Sequence, residues 1–177
     1  MFLIPGWLIS IVTFPGVIFH EIAHRFFADM AKVEVYEARY FRLGNPAGYV
    51  IHGPVEGLKQ SFLISVGPLV VNSIICVLLT FTAIFPIFIL KAQDFSAVFI
   101  ILLWLGYSIG MHAFPSNEDM ANIVQAVKNA EQGGLLLLAA KLFAWFFKIV
   151  NALRIIWFDA IYAVGISLIL PFLFGFL

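Results

Sequence analysis

His20-Glu21-Ile22-Ala23-His24 sets two imidazoles four residues apart, with a carboxylate beside the first. On a helix, positions i and i+4 share a face, so both rings can reach one metal ion. Glu21 stands next to them and can take a proton from a water held by that ion, as a general base. Zinc suits the pattern, because it is a Lewis acid without redox chemistry and lowers its water's pKa to about 7. A catalytic zinc also takes a third protein ligand and keeps one position open. The candidates are Glu118, Asp119, His112, His52, Asp29 and Asp159. Asp29 lies too close along the same helix to complete a tetrahedral site. His52 sits in a loop and reads as exposed, and Asp159 belongs to a segment of open placement. His112 reads as a supporting or packed histidine. Glu118 and Asp119 are adjacent, and a helix points them about 100° apart. Residue chemistry alone does not choose between these two.

The elements that must position these groups lie in lipid. Of 177 residues, 63% are apolar and 11% charged, against about 45–50% and about 25% in soluble domains. Mean hydropathy is +1.04. Too little polar surface exists to coat a globule of this size. Ten basic residues balance ten acidic ones, so neither a disordered chain nor a nucleic-acid binder is expected. Residues 1–19, 60–90 and 160–177 carry no charge, and 95–117 carries none apart from His112. Each is near or above the roughly 20 residues that cross a hydrocarbon core as a helix. The run 133–153 is equally apolar but holds Lys141 and Lys148 on one helix face. It either spans with both lysines snorkelling or lies along the interface. The expectation is a membrane all-α fold, a polytopic bundle of four to five transmembrane helices. It forms one domain over residues 1–177, with a core over 1–125 and C-terminal helices over 133–177. The lone cysteine, Cys76, reads as a small apolar residue. No cleaved signal peptide is expected, because no basic region precedes the first apolar run.

Residues 25–59 differ in kind. They hold five of the ten basic residues: Arg25, Lys32, Arg39, Arg42 and Lys59. The β-formers from Val33 to Tyr40, the turn chemistry of Gly44-Asn45-Pro46-Ala47-Gly48 and the run Tyr49-Val50-Ile51 predict a β-hairpin or small sheet between the first two spans. By the positive-inside rule this loop is cytoplasmic and Met1 begins outside. The third span then returns residues 114–132 to the cytoplasmic side, bringing Glu118 and Asp119 to the height of His20 and His24. Pro15-Gly16 is placed to kink the first helix just before the motif.

In this order the motifs resemble the site-2 protease family, the zinc intramembrane metalloproteases. The chain looks like a minimal version, without PDZ-like or CBS-like domains. Four features carry the resemblance. They are His20-Glu21-x-x-His24 in an apolar helix, Ala47-Gly48-Tyr49-Val50 in a β-like stretch, Ser65-Val66-Gly67-Pro68-Leu69 opening the next span, and Phe114-Pro115-Ser116-Asn117-Glu118-Asp119 after the third. Together they cover roughly residues 14–125. The resemblance implies one zinc ion held by His20, His24 and Asp119, with Glu118 as the alternative ligand and Glu21 as base. It also implies Asn72 as an oxyanion or substrate contact, although Asn72 falls one residue later than in the family pattern. Asp119-Met120 stands where the family has Asp-Gly.

The expected activity is therefore hydrolysis of peptide bonds in transmembrane segments or short hydrophobic peptides. A substrate helix must unwind first, because its backbone groups are already bonded to one another. Tyr49, Val50 and Ile51 would hold the unwound stretch by edge pairing. The expected location is a prokaryotic plasma membrane. One rival is a non-proteolytic metal-binding membrane protein with a peptide-binding, immunity or adaptor role. Another is a transporter component, for which only Pro86 and Pro171 break the later spans.

Overall fold

The computed structural model describes residues 5–88, 96–130 and 134–175. Helices α1 (Gly6–Val12) and α2 (Phe14–Met30) come first. A hairpin of β1 (Val35–Arg39) and β2 (Tyr49–His52) follows. Next come α3 (Leu58–Phe88), α4 (Ala97–Met111), α5 (Asn117–Lys128) and α6 (Leu135–Leu153), then a 3-10 turn at Arg154–Ile156, α7 (Phe158–Ser167) and α8 (Ile169–Leu173). The fold is mostly helical with one small antiparallel sheet. The sequence reading of Met1, Leu90, Lys91 and Gly133 as segment ends lies outside the described residues.

The expectation of four to five spans is corrected. Among the described residues, two helices are long and apolar enough to cross a membrane, Leu58–Pro86 and Leu135–Ile156. The count is three if the bent α1–α2 pair is one span. The length of an uncharged run overstates the length of its helix, because breakers inside the run carry no charge. The first run breaks by 88° between α1 and α2, where Pro15 sits in the first turn of α2 and has no N–H to continue the ladder. The third run yields only the 15-residue α4. Pro115 disfavours helical backbone at Phe114, so the chain leaves the helix after His112. The last run divides at Leu168. Pro171 offers no N–H to the Ser167 carbonyl four residues back, and its ring crowds that carbonyl. Pro86, by contrast, lies inside α3 without ending it.

Helix α3 is the central post, packing against α2, α4, α5 and α7. Small residues permit the closest crossings. A Cβ on Gly16 would collide with the Ser108 carbonyl of α4, and one on Gly67 with the Phe27 ring of α2. A Cβ on Gly110 would come within 2.6 Å of Cys76 Sγ, so the cysteine fills the α3–α4 contact and is fully buried. A second layer forms where α5 and α6 meet, around buried Phe114, Met120, Ile123, Phe147 and Val150.

Helix α2 ends in a bonded stop. Val33 N–H donates to the Ala28 carbonyl at 2.9 Å and Lys32 N–H to the Asp29 carbonyl at 3.0 Å. This pair of bonds requires a left-handed residue, here Lys32 at φ 58°. The hairpin follows in antiparallel register, with Arg39 opposite Tyr49, Ala38 opposite Val50 and Glu37 opposite Ile51. The Glu37 carboxylate accepts from Arg39 Nε at 2.9 Å and from the Tyr49 hydroxyl at 3.0 Å. These two bonds, the arginine first, hold its carboxyl below the ordinary value.

Candidate metal centre

Each imidazole of the motif is turned by a carbonyl that its own helix has released. Pro68, inside α3, has no N–H for the Ile64 carbonyl four residues back. His24 Nδ1 lies 3.0 Å from that carbonyl oxygen. Helix α4 ends at Met111, which frees the His112 carbonyl, and His20 Nδ1 lies 2.7 Å from it. A carbonyl only accepts, so both Nδ1 atoms carry hydrogen and both neutral rings keep a lone pair on Nε2. The two Nε2 atoms lie 3.0 Å apart.

Asp119 arrives on a separate helix and is aimed by its start. Ser116 caps α5 in a capping box with Asp119. The Ser116 N–H and hydroxyl both donate to Asp119 Oδ2 at 2.7 Å, and Asp119 N–H donates to Ser116 Oγ at 3.1 Å. One carboxylate oxygen is thus spent on the cap. The other, Oδ1, faces His24 Nε2 at 3.4 Å. Burial works against ionisation of this carboxyl. A positive charge on His24 and the Ser116 bonds outweigh it, holding the group down at about 2.

His20, His24 and Asp119 therefore bring three ligand atoms within 4.8 Å of one another. Three lone pairs converging on one point repel unless a positive charge stands among them. A proton on His24 Nε2 is one such charge, and a metal ion is another. The cluster could hold a metal ion, and two imidazoles with one carboxylate fit a divalent transition metal rather than a hard cation.

Glu21 is 8% exposed, as are His24 and Asp119. It lines the same cavity of about 510 Å³ as the three cluster residues. The start of β2 closes over it. A Cβ on Gly48 would stand 2.7 Å from Glu21 Cγ and 3.1 Å from the Arg39 carbonyl, so only glycine lets the hairpin lie this close. Tyr49 and Val50 line the cavity, whereas Ile51 is 47% exposed. Among the described residues, β2 pairs only with β1.

The other weighed residues fall into place around this centre. Glu118 lines the cavity but is exposed and outside the cluster. His112 lies behind His20, its Nε2 2.8 Å from Thr13 Oγ1 at the α1–α2 bend. Thr13 Oγ1 itself donates to the Ile9 carbonyl, so the His112 ring is the donor to it. His52 Nδ1 lies 2.8 Å from the neighbouring Gly53 carbonyl. Asp29 pairs with Arg25 at 3.7 Å on the outer face of α2. Asp159 lines the cavity wall but binds Arg154 at 3.2 Å. Asn72 lies behind the cavity wall, beside the end of α4. It is fully buried and outside the cavity lining, with Nδ2 donating to the His112 carbonyl at 3.0 Å. It braces the acceptor that turns His20.

Reasoning from sequence missed Thr13, Ser116 and Arg154 as parts of this assembly. Only Ser116 left a signal, as the first member of a Ser-x-x-Asp cap. Comparison with models of known protein families, with curated proteins and with solved structures finds no match to this chain.

Proposed function

We propose that this chain is a zinc-dependent intramembrane endopeptidase, acting on transmembrane segments or short hydrophobic peptides. The observation that carries the reading is the convergence of the His20 and His24 Nε2 atoms, 3.0 Å apart, with Asp119 Oδ1 beside them and Glu21 on the same cavity wall. A bound zinc ion would supply Lewis acidity, polarising a peptide carbonyl and bringing a water's pKa to about 7. Glu21 takes the proton from the attacking water on its carboxylate and hands it to the leaving amine. Burial keeps competing solvent from Glu21, and Gly48 holds the hairpin against it. The free edge of β2 pairs with an unwound substrate stretch through Tyr49 and Val50. The bilayer is the protein's solvent, and no nucleic-acid partner is part of the reading. Residues 25–59 and 114–132 face the cytoplasm of a prokaryotic cell, with the N-terminus outside.

The test is Glu21→Gln in detergent or nanodiscs. Zinc stoichiometry should stay at that of wild type, while cleavage of a fluorogenic transmembrane peptide falls at least ~100-fold. Zinc binding by wild type with no cleavage of any hydrophobic peptide would favour a metal-binding, non-proteolytic role. Unchanged cleavage by the variant would remove Glu21 from the mechanism.

A further inference from the structure

Of the three ligands, Asp119 alone does not ride on α2, so its position depends on what fixes the turn before α5. That turn is held from the C-terminal third of the chain. Arg154, in the 3-10 turn after α6, donates through one terminal guanidinium nitrogen to the Phe114 carbonyl at 3.1 Å and through Nε to Asp159 Oδ1 at 3.2 Å. The Phe114 ring packs against Tyr162 and Phe158 of α7, at centroid distances of 4.5 and 5.8 Å. Asn151 Nδ2 donates to Asn117 Oδ1 at 3.1 Å, a second bond onto the same turn. Arg154 and Asp159 both reach the cavity wall, and Asp159 is 7% exposed. A guanidinium in an apolar bundle is costly unless its charge is balanced and its donors are used. Here one rigid fork satisfies a carboxylate and a main-chain carbonyl together, in a planar geometry that a lysine ammonium on its flexible stem does not fix.

We infer that Arg154, with Asp159 as its counter-ion, is a positioning pair for the third metal ligand, and that the C-terminal helices are part of the metal centre. The inference rests on the metal reading of the His20–His24–Asp119 cluster. It does not depend on peptide hydrolysis. The geometry runs from Asp159 to Arg154, to the Phe114 carbonyl, through Pro115 to the Ser116 cap and so to Asp119 Oδ1. A partner that orients a ligand from behind typically contributes 10–100-fold to metal affinity. Loosening the fork should therefore weaken the metal and alter its ligand geometry, although neither Arg154 nor Asp159 touches it.

The test uses cobalt(II) as a visible probe on the full chain in detergent. Wild type, Arg154→Gln, Arg154→Lys and Asp159→Asn are titrated, with dissociation constants and d–d absorption bands as readouts. Thermal unfolding of the metal-free proteins is followed in parallel. Arg154→Gln should bind cobalt 10–100-fold more weakly, with shifted bands. Arg154→Lys should recover only part of the loss, and Asp159→Asn should fall between lysine and wild type. If Arg154→Gln does not fold, the Asp159→Asn bands decide the matter. Wild-type affinity and bands in Arg154→Gln and Asp159→Asn would overturn the inference alone. Full recovery by Arg154→Lys would overturn the fork. No cobalt binding by wild type would overturn the metal reading and this inference with it.

Discussion

Replacing Pro68 by alanine should make helix α3 more stable and the metal site weaker. Proline in a helix interior costs about 3 kcal/mol relative to alanine. The substitution removes two buried methylenes, at about 0.8 kcal/mol each, so roughly 1.5 kcal/mol of packing is lost. The net gain for α3 is then on the order of 1.5 kcal/mol. The new N–H at position 68, however, points at the Ile64 carbonyl, the acceptor that His24 Nδ1 now holds at 3.0 Å. Sharing or losing that acceptor releases the ring from the orientation that aims Nε2 at Asp119. The expected loss is at least ~10-fold in metal affinity, or about 1.4 kcal/mol. Two measurements separate the effects, a thermal melt of the metal-free protein and a zinc titration against a competing chelator. A simple loss of fold would lower both readouts, whereas this geometry raises the first and lowers the second. Zinc affinity equal to wild type in a stabilised Pro68→Ala protein would refute the account of how His24 is turned.

Two further substitutions probe other parts of the centre. Gly48→Ala places a methyl 2.7 Å from Glu21 Cγ and 3.1 Å from the Arg39 carbonyl, so turnover should fall at least ~10-fold with zinc stoichiometry unchanged, read by single-turnover cleavage and metal analysis. Ser116→Ala removes the α5 cap and should lower stability by about 1 kcal/mol, read by chemical unfolding. It also removes a bond that holds the Asp119 carboxyl below its ordinary value. That carboxyl will then protonate at a higher pH, so the acid limb of metal binding should move upward in a pH titration of zinc affinity.

How much of this was legible depends on how local each signal was. His20, Glu21 and His24 carry their geometry in their spacing, because a helix converts four residues into one face. The hairpin was legible in its β-formers and in the turn at Gly44–Gly48. Asn72 was not. Its neighbours say that it is buried, but only the meeting of α3 with the end of α4 reveals the His112 carbonyl as its partner. Pro68 was half legible: a mid-helix proline releases the carbonyl four residues back, yet which donor takes that carbonyl is a tertiary fact. Arg154 left no local trace, since its two acceptors lie in the turn after α4 and in α7. The count of spans failed for a different reason. Hydropathy reports which residues tolerate lipid, while Pro15, Pro115 and Pro171 decide where the backbone can remain helical.

The arrival of Asp119 on its own helix has a consequence for how such a chain is made. A nascent chain that has emerged only through α4 already carries both imidazoles and Glu21, but no carboxylate to complete the cluster. Even after α5 has emerged, the turn that aims Asp119 still waits for Arg154 and the aromatic residues of α7. The three side chains of the cluster therefore come together only after the residues through α7 have been made.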